Sequence, residues 1–179
     1  MNKTLFCNKK CCKYYVSVYN KKFYQKPPKK EKTQKAGVFI TTPDRTKILL
    51  VQSKGQFWGA PKGSLNPEET IKKGAIREVI EETGIVFQQD ELNDVILTRG
   101  SCHYFYKTID EIDLHIQTTI ENNDANGIGW FNVECLKDMI ANHTILINQH
   151  CVMLIKKILG YNMKFENNQS QFRNIFIKI

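Results

Sequence analysis

No stretch of the chain is apolar for the roughly 20 residues that a membrane-spanning helix needs. Its first residues, MNKTLFCNKKCCKYY, lack the apolar core of a secretory signal. Both absences point to work in a reducing cytosol, where the six cysteines are expected as free thiols. Histidine is missing from the first 100 residues. Cys7, Cys11 and Cys12 cluster, but a zinc knuckle there lacks a nearby fourth ligand and would have to be completed across the fold. Arginine is missing from residues 1–35, and acid nearly so. That segment holds eleven lysines against Glu31, a net charge of +10, so residues 36–179 sum to −2 within the overall +8.

Aromatic residues are interleaved with those lysines: Tyr14, Tyr15, Tyr19, Phe23 and Tyr24. Lysines neutralise phosphates and aromatic rings stack on bases. Lys9, Lys10, Lys13, Lys21 and Lys22 are therefore candidate RNA contacts. A solubilising arm that packs its aromatics on the domain has the same pattern.

The chain has 179 residues, 41% of them hydrophobic, enough for one domain and an appendage. The expected division is a basic segment, 1–35, and a domain, 36–179. In the first part Tyr14–Tyr19 reads as a short strand and Lys26–Lys30 as an extended linker. In the second, Ala36–Thr41 and Lys47–Ser53 read as strands around a Pro43-Asp44 turn. Asp94–Arg99, Ser101–Ile109 and Asp113–Glu121 follow as strands, then a polar loop to Gly129 and a short strand from Trp130. A short helix is expected within Asn132–Met139, a longer one over Ile145–Leu159, and a last strand over Phe172–Ile179. There are no internal repeats. This order predicts an α+β fold, an α/β/α sandwich on a mixed β-sheet.

The densest signal is GSLNPEETIKKGAIREVIEETGI, Gly63 to Ile85. Asn66 suits an N-cap, Pro67 the first helical position, Glu68 and Glu69 the positive first turn, and Gly84 the position past the end. One helix is expected over Pro67–Thr83, burying Ile71, Ala75, Ile76 and Val79. Glu78, Glu81 and Glu82 share a face at i, i+3, i+4 spacing. Crowded carboxylates repel, and hard oxygen ligands with room for water and phosphate suit Mg²⁺ or Mn²⁺. Arg77 lies four residues before Glu81 and eight after Glu69, placed to tie this face together.

Gly63, Glu69, Arg77-Glu78, Val79, Glu81-Glu82, Thr83-Gly84 and Ile85 together resemble the Nudix box with no position missing. The resemblance implies a magnesium-binding loop–helix–loop that hydrolyses a diphosphate linkage, with Glu78, Glu81 and Glu82 as metal ligands. Two flanking segments are similar to mRNA-decapping Nudix enzymes. Trp58-Gly59-Ala60-Pro61-Lys62-Gly63 resembles their WGFPKGK signature, with Ala60 in place of Phe, and Leu49–Ser53 (LLVQS) has the same look. Asn123–Phe131 resembles their NEIxKIxWF segment, in which a Glu six residues before the Trp binds metal and is the proposed base; here that position is Asp124. The layout is most similar to compact Nudix hydrolases of large cytoplasmic DNA viruses, for which the setting is the host cytoplasm or the virion.

The resemblance implies hydrolysis of the cap triphosphate bridge, releasing 7-methylguanosine diphosphate and 5′-monophosphate RNA. Asp124 would join the three glutamates at the metal, and Glu82 or Asp124 would take the proton, with Glu81 in the same catalytic group. Lys62 would meet phosphate, and Trp58, Tyr104 and Tyr106 are candidates to stack on the cap guanine or are core aromatics. Two other readings stay open. One is a hydrolase of phosphorylated small molecules: nucleoside triphosphates, dinucleotide polyphosphates or diphosphoinositol phosphates. The other is a non-catalytic RNA-binding module of the same fold, which the intact set of box glutamates disfavours.

Overall fold

A computed structural model describes residues 2–17, 33–53, 56–117 and 125–161. Its strands are β1 (Asn2–Phe6), β2 (Lys13–Ser17), β3 (Lys35–Thr41), β4 (Lys47–Gln52), β5 (Phe57–Gly59), β6 (Lys62–Ser64), β7 (Leu97–Arg99), β8 (Cys102–Thr108), β9 (Gly127–Asn132) and β10 (Leu146–Ile147). The helices are α1 (Ile71–Thr83), α2 (Val133–Ala141) and α3 (Gln149–Leu159). The central order is β1-β2-β9-β4-β3-β8-β7, with β6 paired to β3, and β5 paired to both β4 and β10. The sheet is mixed, because β3 runs parallel to β8 and β10 parallel to β5, while the other pairings are antiparallel.

Strand alternation sorts the apolar residues into two cores. Ala36, Val38, Ile40, Leu49, Val51, Phe105, Ile128 and Trp130 pack with Ala75 and Val79 of α1. Phe39, Ile48, Leu50, Tyr104 and Phe131 pack on the other face with Leu136 of α2 and Leu154 and Ile155 of α3. The outcome is the expected α/β/α sandwich.

Four local expectations are corrected. Helix α3 starts at Gln149, capped by the Asn148 side chain, and not at Ile145, because Leu146–Ile147 pair with β5 as β10. Helix α1 starts at Ile71, capped by the Thr70 side chain, and not at Pro67. Residues Asn66–Glu69 instead close their own turn: the Glu69 N–H donates to the Asn66 carbonyl at 3.2 Å, and Glu68 takes a left-handed φ of 61°. The first helical turn accordingly holds no acid, and Ile71 and Ile76 are only half-buried. Residues 113–117 form no strand; Leu114 and Ile116 are buried against the α1 core, so their alternation marks a covering segment. Phe57–Gly59 and Lys62–Ser64, expected only as a lead into the helix, are strands. The expected last strand, Phe172–Ile179, lies outside the described residues.

The sheet runs on across the boundary expected at residue 35. Strand β2 pairs antiparallel with β9 from Lys13↔Trp130 to Val16↔Gly127, and β1 pairs with β2 at the edge. Gly129 permits this approach, since a Cβ there would sit 2.3 Å from the Tyr14 Cβ. Tyr14 then packs its ring 5.7 Å from Trp58 and 5.2 Å from Phe131. A Gly129→Ala variant should lose about 1–3 kcal/mol of stability through overpacking. Hydrogen exchange should rise at residues 13–17 while the α1 amides change little; an unchanged exchange pattern would show that the hairpin is not docked through this contact.

Candidate active site

Helix α1 meets the β6 turn at Gly63. A Cβ on Gly63 would lie 2.0–2.1 Å from the Glu78 carboxylate, so any side chain here would displace that carboxylate from its place at Arg77. Arg77 holds the junction. Its Nε and NH2 donate to the two oxygens of Glu69 (both 2.9 Å), its NH1 to Glu78 (2.8 Å) and Glu81 (3.0 Å), and NH2 also to the Ser64 carbonyl (2.7 Å). The planar fork of arginine suits such multiple recognition, which a lysine could not reproduce. Glu82 turns the other way and accepts the Lys62 backbone N–H at 2.8 Å.

These carboxylates are not on an open helix face, as the spacing alone implied. Glu78 is 9% exposed and Glu82 3%. The Glu81 side chain is the most open of the three, at 26%. Burying charge is costly unless it is paired, and here Glu69, Glu78 and Glu81 gather around one guanidinium while Glu82 meets the Lys62 amide. The excess of negative oxygen donors fits a hard divalent cation. Among the described residues the three box glutamates do not converge on one point: Glu78 and Glu81 are drawn to Arg77, and Glu82 to the Lys62 amide.

The other expected residues divide. Trp58 (2% exposed) and Tyr104 (1%) are core side chains on the α3 face, with no ring face open to a base. Tyr106 is half-buried, hydrogen-bonds Thr41 through its hydroxyl at 3.0 Å, and has the Arg45 guanidinium 6.0 Å from its ring centre. Lys9 pairs with Asp138 at 2.8 Å and Lys13 with Asp113 at 3.6 Å; Lys10 is exposed. Lys9 and Lys10 sit in the β1–β2 loop. Register places that loop by Asn132 and Lys47, the opposite end of the sheet from the β3–β6 pairing at residues 35–37 and 62–64. Asp124, Lys21 and Lys22 lie outside the described residues. Ala125 and Asn126, which follow Asp124 in the sequence, lie at the carboxylate end, where the Asn126 N–H donates to the Gln52 carbonyl at 2.6 Å.

A cationic group was not legible in the sequence. Burial pushes His150 below its ordinary pKa, and Lys62, Arg99 and Lys35 push it further the same way. These four residues, from β6, β7, β3 and α3, share one region beside the carboxylates. His150 Nδ1 lies 3.1 Å from the Tyr104 hydroxyl, and Arg99 reaches Gln149 at 3.2 Å. Their separation of up to 115 positions along the chain left no local pattern to find. On the other flank, Arg77 and Glu81 border a hollow of about 380 Å³ with Ile76, Ile80 and Phe87 in its wall.

A glycine turn locked to a helix of buried glutamates, on a mixed-sheet sandwich, defines a hydrolase of phosphate anhydrides. The comparisons agree: residues 31–147 match the NUDIX domain family, and the chain belongs to it. It is a hydrolase of diphosphate linkages. It is 36% identical over 152 residues to the protein named "Putative hydrolase 111R" of Invertebrate iridescent virus 3, spanning 80% of this chain and 84% of that one. It is 44% identical over 54 residues to m7GpppN-mRNA hydrolase dcap-2 of Caenorhabditis elegans, spanning 28% of this chain and 7% of that one. The NUDIX domain of Shewanella oneidensis NrtR, solved with ADP ribose, shares the fold with a TM-score of 0.53 at 17% identity, covering 77% of this chain and 93% of that one.

The Arg77 hydrogen bonds hold the Glu69 carboxyl below its ordinary pKa, against burial, with the Asn66 N–H lowering it further. A depressed folded pKa stabilises above the ordinary carboxylate value of about 4.3 and loses that contribution as pH falls through the folded value. Wild-type thermal stability should therefore drop more steeply in acid than that of Glu69→Gln. Parallel melting curves for the two from neutral to acid pH would remove Glu69 from this role.

Proposed function

We propose that the chain is a metal-dependent decapping enzyme that hydrolyses the triphosphate bridge of capped RNA, using Mg²⁺ or Mn²⁺. The observation that carries this reading is the 44% identity to a decapping hydrolase, together with the Trp58–Gly63 and Asp124–Phe131 segments that frame the glutamate helix. The cationic side chains of Lys35, Lys62 and Arg99, which all act on His150, support it, since a polyphosphate leaving the carboxylates meets positive charge there.

In this reading Glu78, Glu81 and Glu82 hold the cation, with Asp124 as a further ligand. A divalent cation held by these residues would neutralise the diphosphate and supply a water of lowered pKa. Glu82 or Asp124 accepts the proton from that water. Arg77 keeps Glu78 and Glu81 in place, and the Lys62 amide orients Glu82. The Lys62 side chain meets phosphate. The products are 7-methylguanosine diphosphate and 5′-monophosphate RNA. RNA contact at Lys9, Lys10 and Lys13 loses support, because two of them are paired with acids at the far end of the sheet.

The deciding experiment uses RNA labelled in the cap, with Mg²⁺ or Mn²⁺, and identifies the labelled product. Release of labelled 7-methylguanosine diphosphate supports the reading. Faster turnover of nucleoside triphosphates, dinucleotide polyphosphates or diphosphoinositol phosphates than of capped RNA overturns it. Glu81→Gln should lower kcat by about 10² to 10⁴-fold, as expected when acid–base or metal chemistry is removed, with little change in melting temperature. Lys62→Ala and Arg99→Ala should raise KM for capped RNA more than they lower kcat. Each should also flatten the salt dependence of binding, by up to about 0.7 in the log–log slope for every phosphate that is no longer neutralised.

A further inference from the structure

Four cysteine sulfurs meet where the β1–β2 loop touches the start of α2. The ligand atoms of Cys7, Cys11, Cys12 and Cys135 all lie within 4.8 Å of one another. Cys7 and Cys11 sulfurs are 3.4 Å apart, and Cys11 and Cys12 sulfurs 3.9 Å. A tetrahedral zinc with Zn–S bonds of about 2.3 Å needs sulfur–sulfur edges of about 3.8 Å, so small side-chain shifts would complete the tetrahedron. We propose that Cys7, Cys11, Cys12 and Cys135 form a structural zinc site that fastens the N-terminal hairpin to the domain.

Backbone donors already reach two of the sulfurs. The Cys12 N–H donates to the Cys7 sulfur, and the Asn132 N–H to the Cys12 sulfur, both at 3.3 Å. Such N–H···S bonds spread thiolate charge and orient ligands. Cys135 sits in the first turn of α2, where the helix end favours negative charge. Lys10, in the loop, takes a left-handed φ of 56° and donates its N–H to the Cys7 carbonyl at 2.9 Å, which turns the chain back toward Cys11 and Cys12. Cys7, Cys12 and Cys135 are buried and Cys11 half-buried. Four soft ligands with no position left for water define a structural zinc centre, not a catalytic one. Three of the four ligands precede the segment that matches the family, so the site is an addition to the domain.

The hairpin needs such a fastening. Strand β1 is nearly all exposed, and from residues 2–17 only Cys7, Cys12 and Tyr14 reach the core as buried side chains. A two-stranded hairpin with so little apolar cover is marginal in water. Zinc exchanges the four thiol protons for one metal ion, releases them to solvent, and contributes its binding energy to folding. Lys9, held by Asp138 of α2, and Lys10 carry positive charge in the loop beside the −2 centre that results.

The test is metal content of the full chain after dialysis against metal-free buffer. One zinc per chain is expected, released in step with a mercurial that blocks thiols. Cobalt(II) exchanged into the wild type should show tetrahedral ligand-field bands with sulfur-to-cobalt charge transfer. Cys11→Ser and Cys135→Ser should lose the metal and melt at lower temperature, Cys135→His should keep it with a shifted cobalt spectrum, and Glu81→Gln should keep it unchanged. Should the serine variants fail to fold, the wild-type cobalt spectrum decides alone. A chain free of zinc with four freely titrating thiols overturns the proposal. So does a Cys7–Cys11 disulfide, iron in place of zinc, or zinc that Glu81→Gln loses and Cys135→Ser keeps.

Discussion

One guanidinium organises the catalytic end of the molecule. Without Arg77 the carboxylates of Glu69, Glu78 and Glu81 would repel across a gap of a few ångströms, and the turn bearing Ser64 would have no tie to the helix. With it, a loop, a strand and a helix share a single cation, and the carboxylates keep a net negative charge that only a further cation can balance. The close approach at Gly63 follows from the same tie, because the helix is drawn onto the turn until no Cβ fits between them.

The two ends of the sheet have separate tasks. At one end, β3 brings Lys35 alongside Ser64 and Cys102, so a single strand joins the glutamate turn to the strand pair β7–β8 that carries Arg99. At the other, β9 runs into α2 through Asn132, whose side chain caps the helix and whose N–H meets the Cys12 sulfur. The length of the β9–β4 ladder separates the cysteine end from the glutamate end. Stability and chemistry are in this sense separable on one scaffold.

How much of this could be read from the residues depended on whether the determining contacts were local. The glutamate helix, its glycine stop and the role of Arg77 were legible because each rests on spacings of eight residues or fewer. The helix start was not, since both Asn66 and Thr70 are good caps, and the choice fell to the turn in which Glu68 adopts a positive φ. The aromatic candidates misled for a different reason: Trp58 and Tyr104 have the chemistry to hold a base, but strand parity sends them to the α3 face. Parity is fixed by register, and register by partners far along the chain. The hairpin and the cationic group were hidden in the same way. Lys9 and Lys13 read as RNA contacts or as a solubilising arm; in the fold β2, which bears Lys13, pairs with β9, and the two charges meet Asp138 and Asp113.

The pairing of β2 with β9 also sets an order in time. Lys13 lies opposite Trp130, so the partner of an early strand is synthesised more than a hundred residues later. At translation rates of about 5–20 residues per second, the hairpin waits on the order of ten seconds with its pairing edge open. Throughout that interval three of its cysteines are together and the fourth does not yet exist as part of the chain. The final closure of the sheet is therefore the step that joins the first-made segment to the rest, and a nascent chain is most vulnerable to aggregation and oxidation at the end that the finished fold holds in place.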